Sequence, residues 1–148
     1  MVLHVFPNFP ATLLTTSLDW EDLILPNNTA EEVQIVNTWI ESKTEIDLNF
    51  SLQKKINKGY KCLFYGPPGT GKTLTTSLIG KKNNKDIYKI DLSEVVSKYI
   101  GETEKNLAKI FDTAENRDWI LFFDEAESLF SKRTGVQDSK DKYANQQT

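Results

Sequence analysis

The stretch Gly66-Pro67-Pro68-Gly69-Thr70-Gly71-Lys72-Thr73 constrains this chain more than any other feature. It follows the apolar run Cys62-Leu63-Phe64-Tyr65 and opens into Leu74-Thr75-Thr76-Ser77-Leu78-Ile79, where Leu74 and Leu78 lie one helical turn apart. Strand, glycine-rich turn and helix in that order make G-x-x-x-x-G-K-[ST] a phosphate-binding loop. Glycines let backbone N–H groups curl around an anion, and the positive end of the following helix points at the same spot. Gly69 and Gly71 permit approaches that a Cβ would block, while Pro67 and Pro68 fix φ and stiffen the rise out of the strand. Lys72 is placed to reach the β- and γ-phosphates of a nucleotide, and the Thr73 hydroxyl to ligate Mg²⁺.

A second feature points to the same chemistry. Trp119-Ile120-Leu121-Phe122-Phe123 is a continuous apolar run suited to a parallel strand covered on both faces, and it ends in Asp124-Glu125. Two carboxylates at the tip of a buried strand are costly to desolvate without a compensating cation, and a Mg²⁺-nucleotide is such a compensator. The reading gives Asp124 to the Mg²⁺ shell beside Thr73, and makes Glu125 the residue that orients and polarises an attacking water. Strands alternating with helices predict an α/β sheet with ligands at the carboxyl ends of its strands. Gly66 and Asp124 both follow such ends, so the two motifs are expected to converge.

The remaining chain narrows the class. At 148 residues, with 26% charged and 39% apolar residues, it is long enough for one domain with a core and has a soluble globular composition. A net charge of −3 gives no support to general nucleic-acid affinity. No apolar run is long enough to span a bilayer, and the start lacks the basic region of a signal peptide. The lone Cys62 excludes a disulfide framework, fits a reducing cytoplasm and reads as a small core residue of the strand. His4 suggests no metal site. Residues 1–28 read as an extended lead-in with an apolar patch over Leu18–Leu25. Thr29 with Glu32 gives a capping-box start to a helix carrying Val33, Val36, Trp39 and Ile40, and residues 41–59 read as a loop with a short helix. Lys81-Lys82-Asn83-Asn84 stops the helix after the phosphate loop. A strand over 86–91, a helical turn at 93–96, and a helix capped by Thr103 with a buried face of Leu107, Ile110, Phe111 and Ala114 complete the pattern.

Taken together, Gly66–Thr73, Phe122-Phe123-Asp124-Glu125-Ala126-Glu127, Ser97–Asn106 and Leu18–Leu23 resemble the AAA ATPase module over roughly residues 18–148. The four stretches are similar to its Walker A loop, its Walker B strand, its first pore loop with the helix after it, and the segment leading in beside the adenine. The nearest likeness is to the N-terminal part of single-module bacterial AAA proteins. The resemblance implies a P-loop NTPase fold, a three-layer αβα parallel sheet, with 1–59 as linker and helix and 60–148 as a partial ATPase core. It implies ATP and Mg²⁺ as ligands, held by Gly66 through Leu74 and by Asp124, with Lys72 and Glu125 as catalytic residues. It also implies a homo-oligomeric, commonly hexameric ring that threads or remodels a protein client, gripped by Lys98, Tyr99, Ile100 and Gly101. The family's sensor strand, arginine finger and helical lid have no counterpart here, and neither Arg117 nor Arg133 stands in the finger's place. The expectation is therefore an incomplete core with a gap between the phosphate-loop strand and the Walker B strand, and little turnover. An ATP-regulated assembly scaffold and another P-loop NTPase remain open alternatives.

Overall fold

The computed structural model describes residues 11–48, 59–96, 99–115 and 117–127. They fall into two compact units, one of residues 15–86 and one of residues 11–14 with 87–127.

In the unit 15–86, a short 3-10 turn, Trp20–Asp22, precedes helix α1, Asn27–Asp47. The Thr29 capping box does not form: the helix begins earlier, because the Pro26 carbonyl already accepts from the Ala30 N–H at 2.9 Å. Pro26 presets φ for the chain entering the helix and Thr29 is left inside it. Nor does the helix stop near residue 41. Residues 41–47 contain neither glycine nor proline, so nothing interrupts the ladder before Leu48. Of the loop and short helix expected over 41–59, residues 49–58 lie outside the described residues. Val33, Val36 and Asn37 are buried on α1, with Trp39 and Ile40 half-buried, much as the periodicity predicts. Trp39 stacks on Tyr60, ring centroids 5.0 Å apart.

Helix α2, Lys72–Asn83, packs against α1. Asn83 ties the two, donating from Nδ2 to Asn37 Oδ1 at 3.0 Å. Three successive hydroxyls in the buried first half bond back into their own helix: Thr75 to the Gly71 carbonyl, Thr76 to Lys72 and Ser77 to Thr73. A run that would be costly to bury is thereby satisfied. The stop lies where the sequence places it. Asn84 adopts the left-handed conformation at φ 52°, and Lys81 and Lys82 sit in the last turn, facing the negative end of the dipole.

The segment before the phosphate loop departs from expectation. Residues 59–65 form no strand, Leu63 and Tyr65 are 77% and 89% exposed, and Cys62 lies at the surface instead of in a core. Apolar residues alone do not make a strand. A strand needs a ladder partner, and none of the described strands pairs with 60–65. Partial desolvation of the Cys62 thiol, then the Glu32 charge, push its pKa up, so it stays protonated and a poor nucleophile.

The second unit is a three-stranded sheet, in the order β1 (Thr12–Leu14), β2 (Ile87–Asp91), β3 (Ile120–Asp124). β2 and β3 run parallel with Ile87 opposite Ile120 and Asp91 opposite Asp124. β1 runs antiparallel to β2, so the described sheet is mixed where a parallel one was expected. The lead-in thus supplies a short strand along the edge of β2, covering backbone groups that would otherwise be unpaired. Between β2 and β3 come a single turn of helix, α3 (Leu92–Val95), and the amphipathic α4 (Glu102–Ala114). Gly101, at φ 79°, precedes α4, so Thr103 lies inside the helix and does not cap it. Ile90, Leu92, Val95 and Ile110 form the core, with Leu107, Leu121 and Phe123 packed on it. Phe111 is 53% exposed, although its ring meets that of Phe123 at 5.9 Å. All five β3 residues are half-buried, not covered on both faces: Leu121 and Phe123 pack on the core, whereas Ile120 and Phe122 alternate away from it. No described helix is long and apolar enough to cross a membrane.

Candidate functional site

The phosphate-loop residues are gathered in the unit 15–86. Gly66, Gly69 and Gly71 take φ values of 150°, 76° and 90°, a conformation that L side chains rarely adopt. Gly71 has a second reason to lack a side chain: a Cβ there would lie 2.9 Å from Leu23 Cδ1. Thr70 donates from Oγ1 to the Pro67 carbonyl at 2.8 Å, closing the bend. Lys72 folds back over the loop, and its ammonium donates to the Gly66 and Pro67 carbonyls at 2.8 and 2.9 Å. The loop therefore holds its cation at its own mouth, and α2 starts at the same residue. Thr73 is exposed and Leu74 half-buried on the first turn.

Leu23 is carried to the loop by the lead-in. Lys81 on α2 donates to the Leu18 carbonyl at 2.9 Å and to Asp19 Oδ1 at 2.7 Å, which fastens the 3-10 turn to the helix. The Leu23–Gly71 contact was not read from the sequence, although the apolar residues after Trp20 were its signal.

The acidic residues are gathered in the other unit. Asp124 closes β3 opposite Asp91, and its carboxylate lies 3.2 Å from Lys89 Nζ. Its Oδ1 also accepts the Glu125 N–H at 3.0 Å. Glu125 is exposed and takes φ 56°, a left-handed conformation uncommon for a residue with a Cβ. Its pKa is raised, first by a hydrogen bond with Glu127, then by the Glu127 charge, desolvation, and the charges of Asp124 and Asp91. Asp91 goes the other way: the Ser93 hydroxyl and N–H hold its carboxyl below the usual value. Sequence reasoning missed Lys89 and Asp91. Their signal was alternation, which puts two charged residues on one face of a strand whose other face is core.

Tyr99 and Ile100 lie on the surface before α4, at 67% and 105% exposure, followed by Gly101 in the left-handed region. Lys98 lies outside the described residues.

The residues suit a nucleotide. A loop of three glycines at positive φ, an ammonium at its mouth and a helix N-terminus are the parts an anionic phosphate chain needs. Among the described residues no three His, Cys, Asp or Glu side chains gather as a metal cage. Mg²⁺ does not require one, since it commonly takes one or two protein ligands and completes its shell with water and phosphate oxygens.

Comparison with known proteins agrees with this chemistry. The chain is 36% identical to "Peroxisomal ATPase PEX6" of Colletotrichum orbiculare, over 78% of its own length and 9% of that protein's. It is 47% identical to "ATPase family gene 2 protein" of Schizosaccharomyces pombe over 49% of its length and 9% of the relative's. With "Proteasome-activating nucleotidase 1" of Haloferax volcanii it shares 41% over 53% of its length and 20% of the relative's. The chain thus spans a small fraction of each relative. The sequence model of the "ATPase family associated with various cellular activities (AAA)" matches residues 62–147, more than half of the chain. With that match and the loop geometry of Gly66–Lys72, the chain belongs to the AAA family of P-loop ATPases.

Proposed function

We propose that the chain binds ATP with Mg²⁺ through Gly66–Leu74 and Asp124, as part of an AAA core over residues 60–148 with 1–59 as its lead-in. In this reading it acts within a cytoplasmic homo-oligomeric ring that remodels protein clients at the expense of ATP. The observation that carries it is the Gly66–Thr73 loop, with glycines in the left-handed region and Lys72 at its mouth. A phosphate oxygen is a stronger partner for an ammonium than a neutral carbonyl, so Lys72 exchanges the Gly66 and Pro67 carbonyls for the β- and γ-phosphates. Mg²⁺, when bound, neutralises charge developing on the phosphates. Thr73 and Asp124 would hold it. Glu125 orients water, a task for which its carboxylate is poised by the neighbouring acids. The surface position of Tyr99 and Ile100 supports a client-gripping role, with an aromatic ring offering contact to backbone and apolar side chains alike.

The test is thermal stabilisation by ATP and Mg²⁺. At a hundredfold excess over Kd, nucleotide stabilises by about 2.7 kcal/mol. Lys72→Ala is expected to lose that shift and Glu125→Gln to keep it. A Glu125→Gln variant that no longer binds would overturn the division of labour between the two acids. In the ring, Tyr99→Ala is expected to stop ATP-dependent unfolding of a fluorescent reporter protein while ATP hydrolysis continues. Unfolding that persists in that variant would favour an ATP-regulated scaffold.

A further inference from the structure

Lys89 reaches Asp124 from an unusual place. The ladder sets Asp91 opposite Asp124 and Lys89 opposite Phe122, so the lysine stem runs along the sheet face to bring Nζ within 3.2 Å of the Asp124 carboxylate. The strand period puts Lys89, Asp91, Phe122 and Asp124 on one face, and it puts two carboxylates directly across from each other at the tips. Glu125 and Glu127 follow within the same tip. A like-charge cross-strand pair is destabilising, and Lys89 is the cation that the fold sets against it. Both partners are about two-thirds buried, at 34% and 33% exposure, so water screens the pair less than it would an ion pair at the open surface.

We infer that Lys89 is the resident counter-ion of Asp124 and sets the Mg²⁺ concentration at which the nucleotide is held. The inference rests on the assignment of Asp124 to the metal shell. An ammonium and Mg²⁺ compete for the same carboxylate lone pairs, and two cations on one oxygen repel. Lys89 must therefore turn away from Asp124 before the metal uses it, and its departure is part of the free energy of metal uptake. Lys89 is a positioning residue. It keeps the Asp124 carboxylate paired while no metal is bound, and it raises the metal concentration needed for tight binding.

The experiment is a MgCl₂ titration of a fluorescent ADP analogue bound to the full chain, read as the Mg²⁺ midpoint, for the parent, Lys89→Met, Lys89→Arg and Asp124→Asn. Lys89→Met is expected to lower the midpoint roughly 3- to 10-fold, and Lys89→Arg to stay near the parent. Lys89→Gln, expected to behave like Lys89→Met, serves if the latter does not fold. A merely structural lysine would change stability without moving the midpoint. An unmoved or raised midpoint in Lys89→Met, with Asp124→Asn weakening the metal dependence, overturns the inference and leaves the Asp124 assignment standing. An unmoved midpoint in Asp124→Asn overturns both. Absence of nucleotide binding by the parent chain overturns the proposed function and this inference with it.

Discussion

The phosphate loop and the acidic strand tip are held by opposite means. The tip of β3 stands at the end of a ladder, with five register pairs to β2 and a core of Ile90, Leu92, Val95 and Ile110 behind it. The loop has no ladder behind it, since residues 59–65 are not a strand. Its shape comes from three left-handed glycines, from a lysine turned onto its own carbonyls, and from α2, where the chain becomes regular. The acidic tip is thus fixed by cross-strand packing, the loop by backbone conformation and a single helix. Sheet packing should therefore set the stability of the acidic tip. Single backbone positions should set the competence of the loop.

The largest effect that could break this contrast is at the core of the sheet. Ile110 is fully buried among Ile90, Leu92 and Val95. Ile110→Ala is expected to destabilise by about 2–5 kcal/mol, through lost transfer energy and the cavity left behind. Hydrogen exchange should show the loss in β2 and β3, with α1 and α2 keeping their protection. Equal loss in both units would mean that they unfold as one and that the contrast is false.

Next comes Gly71. Alanine there meets both a φ of 90° and Leu23 Cδ1 at 2.9 Å. Gly71→Ala is expected to cost about 1–3 kcal/mol and to abolish nucleotide-induced stabilisation. Combining it with Leu23→Ala removes the clash and leaves the backbone strain, so the double variant should recover only part of the loss. Full recovery would show that contact, not backbone, shapes the loop. A smaller effect is expected of Lys81→Ala. It removes an exposed tie worth about 0.2–1 kcal/mol, yet it should raise amide exchange over residues 18–23 by freeing the 3-10 turn.

The same contrast explains what the sequence reveals and what it hides. The glycine and lysine spacing of Gly66–Thr73 is a local code, since each residue answers to its own φ or its own charge. The helix after it and its stop at Asn84 were legible for that reason. The strand expected at Cys62–Tyr65 was not a local question. Its apolar residues fit a strand, but whether they form one depends on a partner, which local sequence does not specify. The same limit hid β1, whose pairing with β2 depends on residues far away in sequence. Lys89 was missed because alternation sets it on one face with Asp91, and only register shows which carboxylate it reaches.

The smallest expected effect tests the tip through its two shifted acids, which oppose each other. Glu125 has a raised pKa, so the folded state takes up a proton there more readily than the unfolded chain. Its contribution to stability therefore grows as pH falls through that raised value, and is complete below the usual 4.5, as the protonated carboxyl makes its hydrogen bond with Glu127 and repulsion from Glu127, Asp124 and Asp91 is relieved. Asp91 has a lowered pKa, so its hydrogen bonds from Ser93 stabilise the fold above the usual 3.8 and are lost as pH falls through the depressed value. Stability of the sheet unit should hence rise on mild acidification and then fall, with the maximum between the two transitions. In thermal melts against pH, Glu125→Gln should flatten the first limb and Asp91→Asn the second, each leaving the other in place. If Asp91→Asn flattened the mild-acid limb instead, the repulsion would centre on the cross-strand pair and not on Glu125. The neutralising part given to Lys89 would then matter more to folding than to the metal.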